Sequence, residues 1–120
     1  MTKACTTLLF LLLATIASGQ TGTPASKLTW DQTAPDLASA AAYTYLYYPD
    51  GATTSVTLTA VTCTGTVSPF VCQVAFPAFT PGSHTLTLSA SNVAGESAHS
   101  APFAFVFVVV PSVPTNIRIR

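Results

Sequence analysis

From residue 20 onward the chain alternates apolar and polar residues in short runs, with turn-forming residues between them. Alternation with period two gives a strand one buried and one solvated face, so the pattern predicts an all-β fold. The longest run is 84–92, with His84, Leu86, Leu88, Ala90 and Asn92 on one face and Thr85, Thr87, Ser89 and Ser91 on the other. Further strands are predicted at 27–30, 42–48, 55–64 and 71–79. The 42–48 segment carries Tyr43, Tyr45, Tyr47 and Tyr48 and runs into Pro49-Asp50-Gly51, a turn sequence. In 55–64 the apolar phase moves from Val56, Leu58 and Ala60 to Val61 and Cys63, which predicts a bulge near Ala60. Residues 103–110 are apolar on both faces, so either both are covered or one is a contact surface. Pro111 and Pro114 end that run. Residues 115–120 then alternate again, which predicts a last strand at 116–119 with Ile117 and Ile119 inward and Arg118 outward. No helix is predicted after residue 20.

The first nineteen residues follow a different pattern. Lys3 precedes the apolar run 8–14 (LLFLLLA), and Ala17-Ser18-Gly19 supplies small residues at a cleavage site. This order is that of a secretory signal peptide. The apolar run is about half the ~20 residues that a membrane-crossing helix needs. Cleavage after Gly19 is expected, giving a mature chain that begins at Gln20 and has no membrane span. Cys5 leaves with the signal, and the two remaining cysteines, Cys63 and Cys72, are expected to form a disulfide in an oxidising compartment. Their spacing lacks the Cys-x-x-Cys of zinc sites. The segment between them connects two predicted strands, so the bridge would staple a hairpin.

Composition narrows the function classes. The chain is 49% hydrophobic, too apolar for a disordered polymer, and its 120 residues suffice for one domain. Four Lys/Arg balance four Asp/Glu, so there is no basic face for nucleic acid and no polybasic handle for an anionic membrane. Candidate chemistry is sparse. No Gly-x-Ser-x-Gly elbow and no glycine-rich phosphate loop occurs. Asp31 and Asp36 lack the ligand run that calcium requires and are read as loop solubilisers. His84 is read as a packed or hydrogen-bonded corner residue, and His99 as a solvated turn residue. No catalytic residue, metal or cofactor is expected, and the chain is read as not an enzyme. Tyr48, beside the Pro49-Asp50-Gly51 turn, is the tyrosine expected to be exposed; with Asp50, Ile117 and Ile119 it makes the candidate contact surface.

Six or seven short strands in about 100 residues favour an antiparallel two-sheet β-sandwich. Leu28-Thr-Trp30, the tyrosine-rich strand, Phe79-Thr-Pro-Gly82 and Leu86-Thr-Leu-Ser-Ala90-Ser-Asn92-Val-Ala-Gly95-Glu-Ser97 together resemble a fibronectin type III domain. Bacterial immunoglobulin-like domains use a similar Pro-Gly-x-His-x-Leu pattern. The resemblance covers 27 to about 110. It implies a sandwich of about seven strands, burial of Tyr43 and Tyr45, and Trp30 at the centre of the core. The sequence departs from the family in two places. His84 stands where a corner tyrosine is usual, and only residues 20–26 precede Lys27 to form a first strand. Val113-Pro-Thr-Asn-Ile-Arg-Ile119 is similar to the way such a domain begins. It is a vestige of a following repeat, a segment that folds back, or one donated to a neighbour. The domain plan is therefore a signal peptide at 1–19, a fibronectin type III-like sandwich at 20–110, and a proline-containing tail at 111–120. The implied function is a secreted or cell-surface, non-enzymatic binding and adhesion module, with an extracellular protein or glycan as partner. The alternative is a structural subunit that self-associates by β-strand exchange through the tail.

Overall fold

The computed structural model describes residues 20–120; residues 1–19, where a signal peptide is expected and where Cys5 lies, fall outside the described residues. Nine strands and one short helix form two sheets. In chain order these are β1 (Gln20–Gly22), β2 (Lys27–Gln32), α1 (Leu37–Ala42), β3 (Thr44–Pro49), β4 (Val56–Thr57), β5 (Thr62–Thr64), β6 (Phe70–Ala75), β7 (Gly82–Asn92), β8 (Gly95–Glu96) and β9 (Phe103–Phe107). The larger sheet runs β1-β9-β7-β3-β4 with β8 paired to β7, and the smaller runs β2-β6-β5. All pairs are antiparallel except β1 with β9.

Period-two alternation decides which residues meet. Leu28 and Val74 from the smaller sheet pack on Leu86, Phe105 and Phe107 from the larger, and Trp30, Phe76, Phe79 and Leu88 extend this cluster. Tyr45, Phe105, Leu86 and Cys72 are the largest fully buried side chains among the described residues. Phe79 and Phe76 meet Phe105 edge-on, with ring centroids 4.9 and 5.1 Å apart, an arrangement that aromatic quadrupoles favour. Burial of Tyr45 agrees with the expectation, whereas Tyr43 is only half-buried.

Several expectations are corrected. A helix does form after residue 20. Asp36 is its N-cap, its carboxylate accepting the Ser39 N–H at 2.7 Å, and the Ala-rich LASAAA that follows has high helix propensity. Six residues are too few for an apolar periodicity to show. The predicted strand 42–48 accordingly starts at Thr44. The predicted bulge near Ala60 is a change of sheet. β4 pairs with β3 in the larger sheet, the chain crosses with Ala60 at φ +60°, and β5 pairs with β6 in the smaller. The phase shift at Val61 therefore records a change of partner.

A first strand exists at Gln20–Gly22, and it pairs with β9 in the larger sheet. Gly22 is buried, and a Cβ there would lie 3.3 Å from the Phe76 ring, a tight contact that glycine avoids. β9 is covered on one face only: Phe105 and Phe107 are buried while Val106 is exposed. The predicted strand at 116–119 is absent. Residues 108–120 are exposed, Ile117 and Ile119 almost completely so, and neither points inward. β9 ends at Phe107, with the Val108 N–H still bonded to the Gly22 carbonyl at 2.9 Å, and the alternation beyond Pro111 and Pro114 finds no sheet among the described residues.

Candidate functional site

The site begins with β2. Its alternation turns Leu28 and Trp30 toward the core and leaves Lys27, Thr29 and Asp31 exposed. On one side β2 pairs with β6 through all six residues; on the other it ends the smaller sheet. The reason lies in 23–26. The Ser26 N–H donates to the Thr23 carbonyl at 3.0 Å and the Thr23 N–H to the Ser26 hydroxyl at 2.9 Å, closing a turn. That turn carries the chain from β1 in one sheet to β2 in the other. The other terminal strands, β1, β4 and β5, have three, two and three residues. At six residues β2 is the longest unpaired edge among the described residues, and an unpaired edge is a template for another strand.

On the facing wall the segment 97–100 stays tied to β7. The Ser97 and Ser100 N–H groups donate to the Ala90 and Leu88 carbonyls at 2.8 Å, and in return serine side chains stand in for backbone acceptors. Ser97 Oγ accepts the Ala90 N–H at 3.0 Å and Ser100 Oγ accepts the Leu88 N–H at 2.9 Å. The gap between this segment, β1 and β2 is a cleft of about 620 Å³, lined by Leu28, Trp30, Leu86, Leu88, Phe103 and Phe105. Trp30 divides it from a second cavity of about 210 Å³ under 97–100. The indole ring meets Tyr45 edge-on at 5.0 Å, and its buried Nε1–H has no acceptor. Trp30 is thus only partly buried, at the rim of the core rather than at its centre.

The predicted contact residues are not brought together as one surface. Tyr48 is buried, not exposed. It faces outward from the larger sheet, but the turn after β7 covers it. His99 stacks on its ring at 4.1 Å, and its hydroxyl donates to Glu96. The Ser89 hydroxyl donates to the same Glu96 oxygen, and His99 Nε2 lies 3.8 Å from it. These bonds, Ser89's first, hold the Glu96 carboxyl below the usual carboxylate range. The bond to Glu96, above all, pushes the Tyr48 hydroxyl up. These contacts tie the 96–99 segment to β3 and β7. The sequence offered no signal for it, because its members come from β3, β7, β8 and a turn.

Asp50 is also engaged within the chain. Asp50 and Gly51, at φ +50° and +71°, form a turn closed by the Ala52 N–H to the Pro49 carbonyl at 2.8 Å. Asp50 Oδ1 accepts the Thr85 N–H at 3.0 Å, and Oδ2 meets His84 Nδ1 at 2.8 Å. His84 Nε2 lies 2.7 Å from the Thr80 carbonyl oxygen. Neither the carboxylate nor the carbonyl can donate, so the geometry suits an imidazolium with both nitrogens protonated. The bonds to Asp50 and Thr80 raise the His84 pKa, and those to Thr85 and His84 lower that of Asp50. His84 is thus a hydrogen-bonded corner residue, tying the 50–51 turn to the 80–82 turn. Ile117 and Ile119 lie far along the chain in the exposed tail.

Cys63 and Cys72 face each other across β5 and β6 with their sulfurs 2.02 Å apart, at bonding distance. The bridge staples the β5–β6 hairpin within one sheet. No helix among the described residues is long and apolar enough to cross a membrane. Comparison of the sequence with protein-family models and with curated proteins gives no match.

Proposed function

We propose that this chain is a secreted, non-enzymatic binding and adhesion module of fibronectin type III-like organisation, which takes an extended segment of a partner protein along the free edge of β2. The observation that carries the reading is the six-residue unpaired edge standing over an apolar cleft. An added strand supplies its affinity through main-chain hydrogen bonds and its specificity through alternate side chains, and this site offers a place for both. The disulfide-spaced cysteines and the leader-like order of residues 1–19 support the extracellular setting. A protein segment is preferred to a glycan because sugar stacking needs exposed aromatic faces. Tyr48 is covered by His99, and Trp30 packs against Tyr45.

The test is a binding screen of the exported protein against extracellular proteins, extended peptides and glycans, followed by hydrogen exchange on each complex. Protection of amides 27–32 by a protein or peptide supports the reading. Binding that protects only 92–101, binding confined to glycans, or no binding at all overturns it.

A further inference from the structure

We propose that the segment seated on β2 is the 113–119 stretch of a second copy of this chain, so that the protein assembles head to tail. This inference rests on the strand-accepting edge described above and names its occupant. The chain carries an exposed tail with a strand's alternation and an apolar slot without a strand. Residues 101–117 contain no charged side chain. Val110, Val113, Ile117 and Ile119 are each at least four-fifths exposed. Exposed apolar surface of this kind marks an interaction site.

The tail does not occupy its own slot. Asn116 sits in the left-handed region at φ +53°, and the Arg118 guanidinium donates to the Asn116 carbonyl at 3.1 Å, a bond within the tail itself. Extended, the same residues have the period that the slot requires. With Ile117 and Ile119 turned into the cleft beside Leu28 and Trp30, Arg118 and Arg120 lie on the outer side. With the strands parallel, Arg120 then stands opposite Asp31 of β2 and Arg118 opposite Thr29, whereas the antiparallel direction would set Arg120 against Lys27, so the charges favour the parallel direction. Asp31, Arg118 and Arg120 make no ion pair among the described residues. Donor and acceptor are different surfaces, so each copy can give one strand and receive another. Such a contact extends into a linear chain or closes into a ring.

Light scattering of the full exported chain over a range of concentrations tests the inference. The expected result is a mass that rises with concentration. The variants Ile117→Glu with Ile119→Glu, and a deletion of 112–120, should stay monomeric. The tail makes no hydrogen bond to the sandwich, so neither change removes a folding contact. A synthetic 112–120 peptide should bind the deletion variant, protect amides 27–32 from exchange and shift Trp30 emission. Asp31→Arg should weaken that binding at least tenfold, and a peptide with Arg118→Glu and Arg120→Glu should restore it. A full chain that is monomeric at every concentration, with no peptide binding, overturns the proposal. So does a monomer whose own tail amides are protected. If the deletion variant ignores the tail peptide yet takes a foreign extended peptide on β2, self-assembly fails and the binding module stands. If no extended segment protects β2, the binding module fails too.

Discussion

Replacing Tyr45 by Phe removes one oxygen and leaves the ring in place, so it isolates what the hydroxyl does. That hydroxyl donates to the Ala40 carbonyl at 2.6 Å. Ala40 lies near the C-terminal end of α1, where carbonyls lack helical partners, and it is fully buried, so water cannot take over. The nearby Cys63 and Cys72 sulfurs, once bridged, carry no proton and cannot donate in its place. A buried acceptor left unpaired costs about 1–3 kcal/mol. For a domain of this size that lowers Tm by roughly 5–20 °C. Tyr45→Ala also loses the ring against Trp30 and should cost about 3–5 kcal/mol. The chain has a single tryptophan, 5.0 Å from the Tyr45 ring, so urea unfolding followed by its fluorescence reads the event where it occurs. Tyr45→Phe should reduce the urea midpoint while leaving native Trp30 emission unchanged. A variant as stable as the parent would show that the hydroxyl does not anchor α1 to β3, and the reasoning would fall. A second readout is alkaline titration. Burial pushes the Tyr45 pKa up to about 12, so its ring should stay protonated in the folded protein where free tyrosine ionises. The unfolded chain releases that proton more readily, so stability falls as pH rises above about 10.

The corner formed by His84 and Asp50 makes stability depend on pH from two sides. The raised His84 pKa contributes stability that is complete below its unfolded value of 6.5 and is lost as pH rises through the folded one. The lowered Asp50 pKa contributes stability present above 3.8 and lost as pH falls through its folded value. Thermal melts of His84→Gln should therefore lose the decline that the parent shows on the alkaline side of 6.5, and an unaltered profile would refute the clamp. Reducing the Cys63–Cys72 bridge, which closes a loop of about ten residues, should cost about 2.7 kcal/mol by loop entropy, read as a lower urea midpoint in reductant. Trp30→Ala, at the rim of the core, should cost less than Tyr45→Ala and abolish the emission used to follow binding at β2; a larger loss would return Trp30 to the centre. Intact mass of exported protein should correspond to a chain starting at Gln20, and a mass that includes residues 1–19 would refute cleavage there.

What the sequence determined by itself was local. Period-two alternation marked β7 and β6, and Pro49-Asp50-Gly51 marked a turn whose positive φ angles suit Asp and Gly. The paired cysteines marked a hairpin. Each of these depends on residues close together in the chain, where side-chain direction and backbone preference act directly. Which partner each edge finds depends on segments far apart in the chain. Three residues at 20–22 pair equally well with any strand of suitable direction, and the turn at 23–26 commits them to β9, leaving β2 bare. Tyr48 faces outward by its period, yet it is buried because a turn some fifty residues later folds over it and supplies Glu96 and His99. The isoleucines of the tail have a strand's alternation and no strand, because alternation specifies a face and only a neighbouring backbone makes it a sheet. The cleft is made wholly of such long-range choices, so its residues were legible one by one while the site they form was not.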